Sequence, residues 1–170
     1  MTNSTTSSAA NEPQVTAAAT GHRHGPRMRW AELAPEVYKA MIGLEVAARK
    51  GLDPTLAELV KIRASQLNRC AFCLHMHTTD ARKAGETEER IVLLNAWEEA
   101  AGYYTDRERA ALALTEAITV LTDGFVPDAV YDRAAALFDE PELAQLIALI
   151  TTINAWNRFG VTTRMAPGQE

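Results

Sequence analysis

Between Asp53 and Gly85 the chain spells out two helices laid end to end, and its only two cysteines fall near the joint. Asp53 is a preferred N-cap residue, and Pro54 after it suits a first helical turn, where its missing N–H costs nothing. Leu56, Leu59, Val60 and Leu67 recur at helical spacing, which predicts a helix from Pro54 to about Asn68. Glu58, Ile62 and Ser65 fall on a second face of it. Another helix is expected from near Cys70 to Ala84, with Gly85 as a natural stop. A C-x-x-C at a helix start also occurs in thioredoxin-like domains, but those need a βαβ pattern, which this chain lacks. Any fold must therefore bury and position one helical segment, Glu58 to His77, ELVKIRASQLNRCAFCLHMH.

The rest of the chain is written in the same period. Trp30 to Leu33 predicts a short turn before Pro35. Val37, Met41, Leu44 and Ala48 predict a helix over Pro35 to Lys50, ended by Gly51. Thr87 is a cap for a helix over about Glu88 to Ala100, without a capping box because Arg90 stands at its third position. Thr105 and Glu108 do form that box, opening a helix to about Thr122 before Gly124. Pro127 opens a helix to about Phe138, and Pro141 one to about Phe159. The last is apolar on most sides and belongs at the centre of the domain or in a subunit interface. Trp156 and Asn157 on it are read as packing residues. No apolar–polar alternation persists and no hairpin turn signal occurs, so strands are not expected. The predicted fold is all-α, an antiparallel bundle of about six to seven helices with short connections, over residues 27–170. Residues 1–26, rich in Ser, Thr, Ala and Gly, read as a disordered tail. His22 and His24 form an H-x-H there, read as exposed rather than metal-binding.

Composition narrows the function. A chain of 170 residues suits one domain, and its net charge of −5 argues against general affinity for nucleic acid or anionic membrane. The most apolar run, Leu143 to Trp156, is interrupted by Gln145, Thr151, Thr152 and Asn154, so no bilayer span is expected. The N-terminus lacks the basic and apolar regions of a secretory signal. The expected location is the cytoplasm. Thiols are kept reduced there, so a close cysteine pair points to catalysis or metal binding rather than a structural staple.

On an ideal helix, Cys70 and Cys73 lie about 60° apart and Cys73 and His77 about 40° apart, so the three share one sector. His75 lies roughly 140° from Cys70, and Phe72 also points away. A helix N-terminus lowers a cysteine pKa, and a His one turn on can take the thiol proton. Residues i and i+3 are close enough for a disulfide after modest adjustment. Glu58 is the candidate third group, orienting His77, provided the two helices fold back near Asn68–Arg69. Ser65, two turns from Glu58, is placed to add a hydrogen bond. Other readings stay open. Glu58 also fits a solvated charge paired with Lys61. The cysteines also fit two small buried apolar residues. Cys70, Cys73 and His77 also supply three zinc ligands, though no second C-x-x-C or H-x-x-x-H completes a closed site.

The pattern E-(11 residues)-C-x-x-C-x-x-x-H, carried by Glu58, Cys70, Cys73 and His77, resembles the alkylhydroperoxidase D-like (AhpD-like) branch of the carboxymuconolactone decarboxylase family. KIRASQLNRCAFCLHMHTTDARKAGE, ERAALALTEAITVLTDGFVPD and INAWNRFG are similar to that branch as well, so the likeness runs from about Ala34 to Met165. The resemblance implies an all-helical homo-oligomer, commonly a trimer or hexamer. It implies hydroperoxide reduction in antioxidant defence, with Cys73 attacking the peroxide, Cys70 resolving the sulfenic acid as a Cys70–Cys73 disulfide, and Glu58 and His77 relaying the proton. Re-reduction would come from an external dithiol, lipoyl-type or other, and a peroxiredoxin is a possible partner. No bound cofactor or metal is expected. The best-known members carry a His just before the second cysteine, where this chain has Phe72. The decarboxylase branch lacks the cysteine pair, which argues against a muconolactone substrate. The alternatives to a peroxidase are a non-catalytic redox-sensing or disulfide-exchange module, and a zinc-binding oligomeric protein.

Overall fold

A computed structural model describes residues 25–100 and 102–168. Residues 1–24, with His22, His24 and nearly all of the expected tail, lie outside the described residues. The helices are α1 (Trp30–Leu33), α2 (Pro35–Ala48), α3 (Pro54–Leu67), α4 (Ala71–Lys83), α5 (Glu88–Leu93), α6 (Asp106–Thr119), α7 (Asp128–Ala135) and α8 (Glu140–Thr163). The described residues contain no strand, so the fold is all-α. None of these helices is long and apolar enough to cross a membrane.

The start signals act as their chemistry requires. Asp53 Oδ1 accepts the Leu56 N–H at 2.9 Å. Thr87 caps α5 without a box, and Thr105 and Glu108 close a full capping box on α6. Asp139 caps α8, one residue ahead of the Glu140–Pro141 first turn.

Three ends differ from the sequence expectation. The helix expected over Glu88–Ala100 breaks after Leu93 into a 3₁₀ turn at Leu94–Ala96. Tertiary partners hold this stretch: Arg63 donates to Asn95 Oδ1, and Arg109 donates to the Trp97 and Glu98 carbonyls. α6 stops at Thr119, whose hydroxyl accepts from Asn154, and the chain then turns through Gly124 and Phe125, both with positive φ. α8 runs past Phe159 and through Gly160, for a reason that lies in the site.

Two apolar cores flank α3. Leu56, Ala57 and Val60 pack with Ala110, Leu114, Phe138, Leu146 and Ile150 on one side. Leu59 and Ile62 pack with Ile91, Leu94, Trp97 and Leu112 on the other. Nine of the fourteen α3 residues are buried, so α3 is the axis on which α4, α6 and α8 are assembled. α8 lines the first core and backs the site. α2 packs on α8 and leaves much of its apolar surface in solvent, with Leu33 beside it 74% exposed and Val46 68% exposed.

Candidate active site

The site begins in the turn between α3 and α4. Cys70 N–H bonds the Ser65 carbonyl at 3.0 Å, and Arg69 N–H bonds the Gln66 carbonyl at 3.1 Å. This is a Schellman ending, with Arg69 in the left-handed position at φ 54°. Cys70 is both the last residue of that motif and the N-cap of α4. The turn is anchored from below. Asn68 Nδ2 donates to Asn154 Oδ1 and Asn157 Oδ1, each at 2.9 Å, and Asn157 Nδ2 donates to Ser65 Oγ at 3.0 Å.

Cys70 and Cys73 are joined as a disulfide with Cα atoms 5.4 Å apart, within the ordinary range for such a bridge. Cys73 N–H points at Cys70 Sγ, 3.4 Å away. Both cysteines are buried. The sulfurs lie against α8 at Gly160. A Cβ there would stand 2.9 Å from Cys70 Sγ and 3.4 Å from Cys73 Sγ. Gly160 follows the helix end expected at Phe159, but it lies inside α8, where only a residue without a side chain leaves room for the bridge. Gly160→Ala is expected to destabilise the oxidised protein by about 1–3 kcal/mol, the usual cost of overpacking, seen as a lowered urea midpoint.

The fold-back of α3 on α4 brings Glu58 to His77. His77 Nδ1 lies 2.9 Å from Glu58 Oε2, with both side chains buried. The other carboxylate oxygen faces two cations, Lys61 Nζ at 3.3 Å and an Arg49 guanidinium nitrogen at 3.4 Å. Lys61 also reaches Glu45 on α2 at 2.7 Å. Burial alone would raise the Glu58 pKa. The His77 hydrogen bond and the positive charges of His77, Lys61 and Arg49 outweigh it and hold the carboxyl below its ordinary 4.5. An ionised Glu58 can only accept, so His77 Nδ1 carries the hydrogen and Nε2 is left to take a proton. The stability that Glu58 contributes is fully present above 4.5 and is lost as pH falls through the lowered folded value. The stability gap between wild type and Glu58→Gln, read from urea melts, is therefore expected to shrink as pH falls below 4.5 and to close in strong acid.

Glu58, Cys73 and His77 open into one cavity of about 260 Å³ between α2, α3, α4 and the end of α8. Tyr38, Ile42, Phe72, Met76, Trp156 and Met165 give it apolar walls, and Glu45, Arg49, Lys61 and Asp80 add charge. Tyr38 and Trp156 join Trp30 and Phe159 in an aromatic cluster, with Trp30 stacked on Phe159 at 3.9 Å. Three expectations change here. Phe72 does not point away from the site: it forms part of the cavity wall, because α2 and α8 close the space beyond the cysteine sector. Trp156 is cavity lining as well as packing. Ser65 is not turned to Glu58, since its hydroxyl is held by Asn157 on the α8 side. His75 is exposed, beside Gly168. Sequence reasoning missed Glu45, Arg49 and the bridging place of Lys61. The only sign was the i, i+3 spacing of Glu58 and Lys61, which a surface pair shows equally.

The zinc reading needs Cys70, Cys73 and His77 as ligands. The two sulfurs are bonded to each other, and among the described residues no three His, Cys, Asp or Glu side chains converge as a ligand set.

The sequence profile of the carboxymuconolactone decarboxylase family matches residues 35–117. Bacillus subtilis YdfG, an uncharacterised protein, is 45% identical over 136 residues, which span 79% of this chain and 92% of YdfG. The crystal structure of an Agrobacterium tumefaciens protein of unknown function, provisionally described as the antioxidant defence protein AhpD, superposes with a TM-score of 0.82. It is 35% identical, and the match covers 86% of this chain and all of that one. The debrominase Bmp8 superposes with a TM-score of 0.71 at 18% identity, over 81% of this chain and 74% of Bmp8, a likeness that shows the fold alone. A helical core on which Glu58, Cys70, Cys73 and His77 meet thus coincides with these relationships, and the chain belongs to the carboxymuconolactone decarboxylase family as an AhpD-like member.

Proposed function

We propose that the protein is a thiol-dependent hydroperoxide reductase in which Cys73 is the attacking thiolate and Cys70 resolves it. One observation carries the reading: Cys73 shares a cavity with a buried His77–Glu58 pair while standing within disulfide reach of Cys70. In the reduced protein, His77 Nε2 takes the Cys73 proton, and Glu58 stabilises the imidazolium that results. The thiolate attacks the terminal peroxide oxygen, the O–O bond breaks, and the alkoxide leaves as alcohol with the proton from His77. Cys73 is then a sulfenic acid. Cys70 attacks its sulfur, water leaves, and the disulfide forms. An external dithiol, lipoyl-type or other, restores both thiols, directly or with a peroxiredoxin in the chain of transfer.

The apolar walls suit organic hydroperoxides. Leu33 and, on α2, Val37, Leu44 and Val46, all exposed, support assembly as a homo-oligomer, a trimer or hexamer. The setting is the cytoplasm, where dithiols are available. The test is steady-state reduction of cumene hydroperoxide with dihydrolipoamide as donor. Turnover with a saturable rate is expected, and absence of turnover with any dithiol would leave a stoichiometric redox module. Glu58→Gln should lower kcat/KM by about 10²-fold, at the lower end of what a proton relay contributes. It should also raise the pH at which Cys73 is half thiolate, because the imidazolium beside it loses its carboxylate. The pH dependence of iodoacetamide alkylation measures that shift.

A further inference from the structure

The two sulfurs are equally buried but not equally approachable. Cys73 forms part of the cavity wall and Cys70 does not. α8 closes the space around Cys70, since even a methyl group on Gly160 would stand 2.9 Å from its Sγ. The Cys70 backbone is tied to Ser65, and Ser65 to Asn157 of α8. A thiolate displaces a disulfide sulfur in line with the S–S bond, so access decides which sulfur is attacked. The leaving group favours the same direction. Attack on Cys73 expels Cys70 Sγ, the N-cap of α4, which already faces the Cys73 N–H at 3.4 Å. A helix N-terminus stabilises a thiolate, and a more acidic thiol leaves faster.

We propose that the reductant enters by the same cavity as the oxidant and attacks Cys73, so that both halves of the cycle pass through one sulfur and one mouth. This rests on the reading of the cysteines as a redox pair. In the first step one thiolate of the dithiol bonds to Cys73 Sγ, the Cys70–Cys73 bond breaks, and Cys70 leaves as thiolate. In the second step the other thiol of the donor attacks its partner sulfur, closes a cyclic disulfide and releases Cys73. Two electrons and two protons pass from the dithiol to the cysteine pair. A cavity of about 260 Å³ admits the tip of a slender dithiol, free or on a flexible arm, and not the face of a folded domain. Oxidant and reductant therefore exclude each other, and each should inhibit competitively against the other at high concentration.

The test uses the oxidised full-length protein. Brief exposure to 2-mercaptoethanol, which cannot cyclise, is followed by N-ethylmaleimide and acid quench, and fragment masses assign the adducts. The expected product carries mercaptoethanol on Cys73 and maleimide on Cys70, in about tenfold or greater excess over the reverse. The reverse product, an even mixture, or a disulfide inert to the thiol would overturn the inference. Ile42→Trp, which narrows the mouth, gives a second reading: it should slow reduction by 2-mercaptoethanol, and an unchanged rate would overturn the shared route. Both readouts need only the disulfide. A protein that passes them but consumes no hydroperoxide would retain this route and lose the proposed activity.

Discussion

Cys73→Ser is expected to abolish hydroperoxide reduction, while Cys70→Ser, with no thiol donor present, keeps a single stoichiometric reduction and stops at the sulfenic acid. The difference comes from the two roles. A serine hydroxyl at position 73 is almost wholly protonated near neutral pH and is a far weaker nucleophile than a thiolate, so no O–O bond is broken. With Cys73 intact and Cys70 absent, the first step proceeds and the sulfenic acid has no intramolecular thiol to condense with. It should accumulate and be trapped by dimedone at Cys73. Dimedone labelling and hydroperoxide consumption, measured on both variants, separate the outcomes. Equal loss of the first turnover in both would mean that the assignment of attacker and resolver does not hold.

Lys61→Met is expected to be the most damaging substitution outside the cysteines. Lys61 is 1% exposed and bridges Glu58 on α3 to Glu45 on α2. Methionine fills a similar volume but leaves two carboxylates facing each other without their shared cation. Removing one partner of a buried ion pair costs about 3–5 kcal/mol. Glu58 keeps His77 and Arg49, and Glu45 is partly exposed, so the lower end of that range is expected. Chemical denaturation measures it. Adding Glu45→Gln should recover part of the loss by removing one of the stranded charges, a coupling that a double-mutant cycle reads directly. A single variant as stable as wild type would show that the bridge contributes nothing.

What could be read in the sequence was what is local. Asp53, Thr105 and Gly85 act through their own backbone neighbours, so the helices they bound follow from short stretches. The shared sector of Cys70, Cys73 and His77 is fixed by helix geometry alone, and the fold-back that brings Glu58 to His77 needs only a tight turn at Asn68–Arg69. What could not be read is what arrives from a distance. Glu45 and Arg49 reach the site because α2 lies across α3, and no spacing within α2 records that. The helix is expected from its own stretch to end at Phe159, and the reason for a glycine just beyond, the sulfur against it, lies some ninety residues away in the chain. The helical wheel sets Phe72 apart from the cysteine sector, and only the walls from α2 and α8 make it part of the same cavity. The 3₁₀ turn after Leu93 is held by Arg63 on Asn95 and Arg109 on the Trp97 carbonyl, contacts from other helices that no pattern within that stretch records.

A working redox pair driven by hydroperoxide must cycle between two thiols and the Cys70–Cys73 disulfide. It is tested most directly by the intact mass of the fully reduced protein before and after a small molar excess of cumene hydroperoxide. The expected result is the loss of two hydrogens, mapped to a Cys70–Cys73 bridge, with one equivalent of alcohol formed and the change reversed by a dithiol. An unchanged mass with the hydroperoxide intact would contradict it.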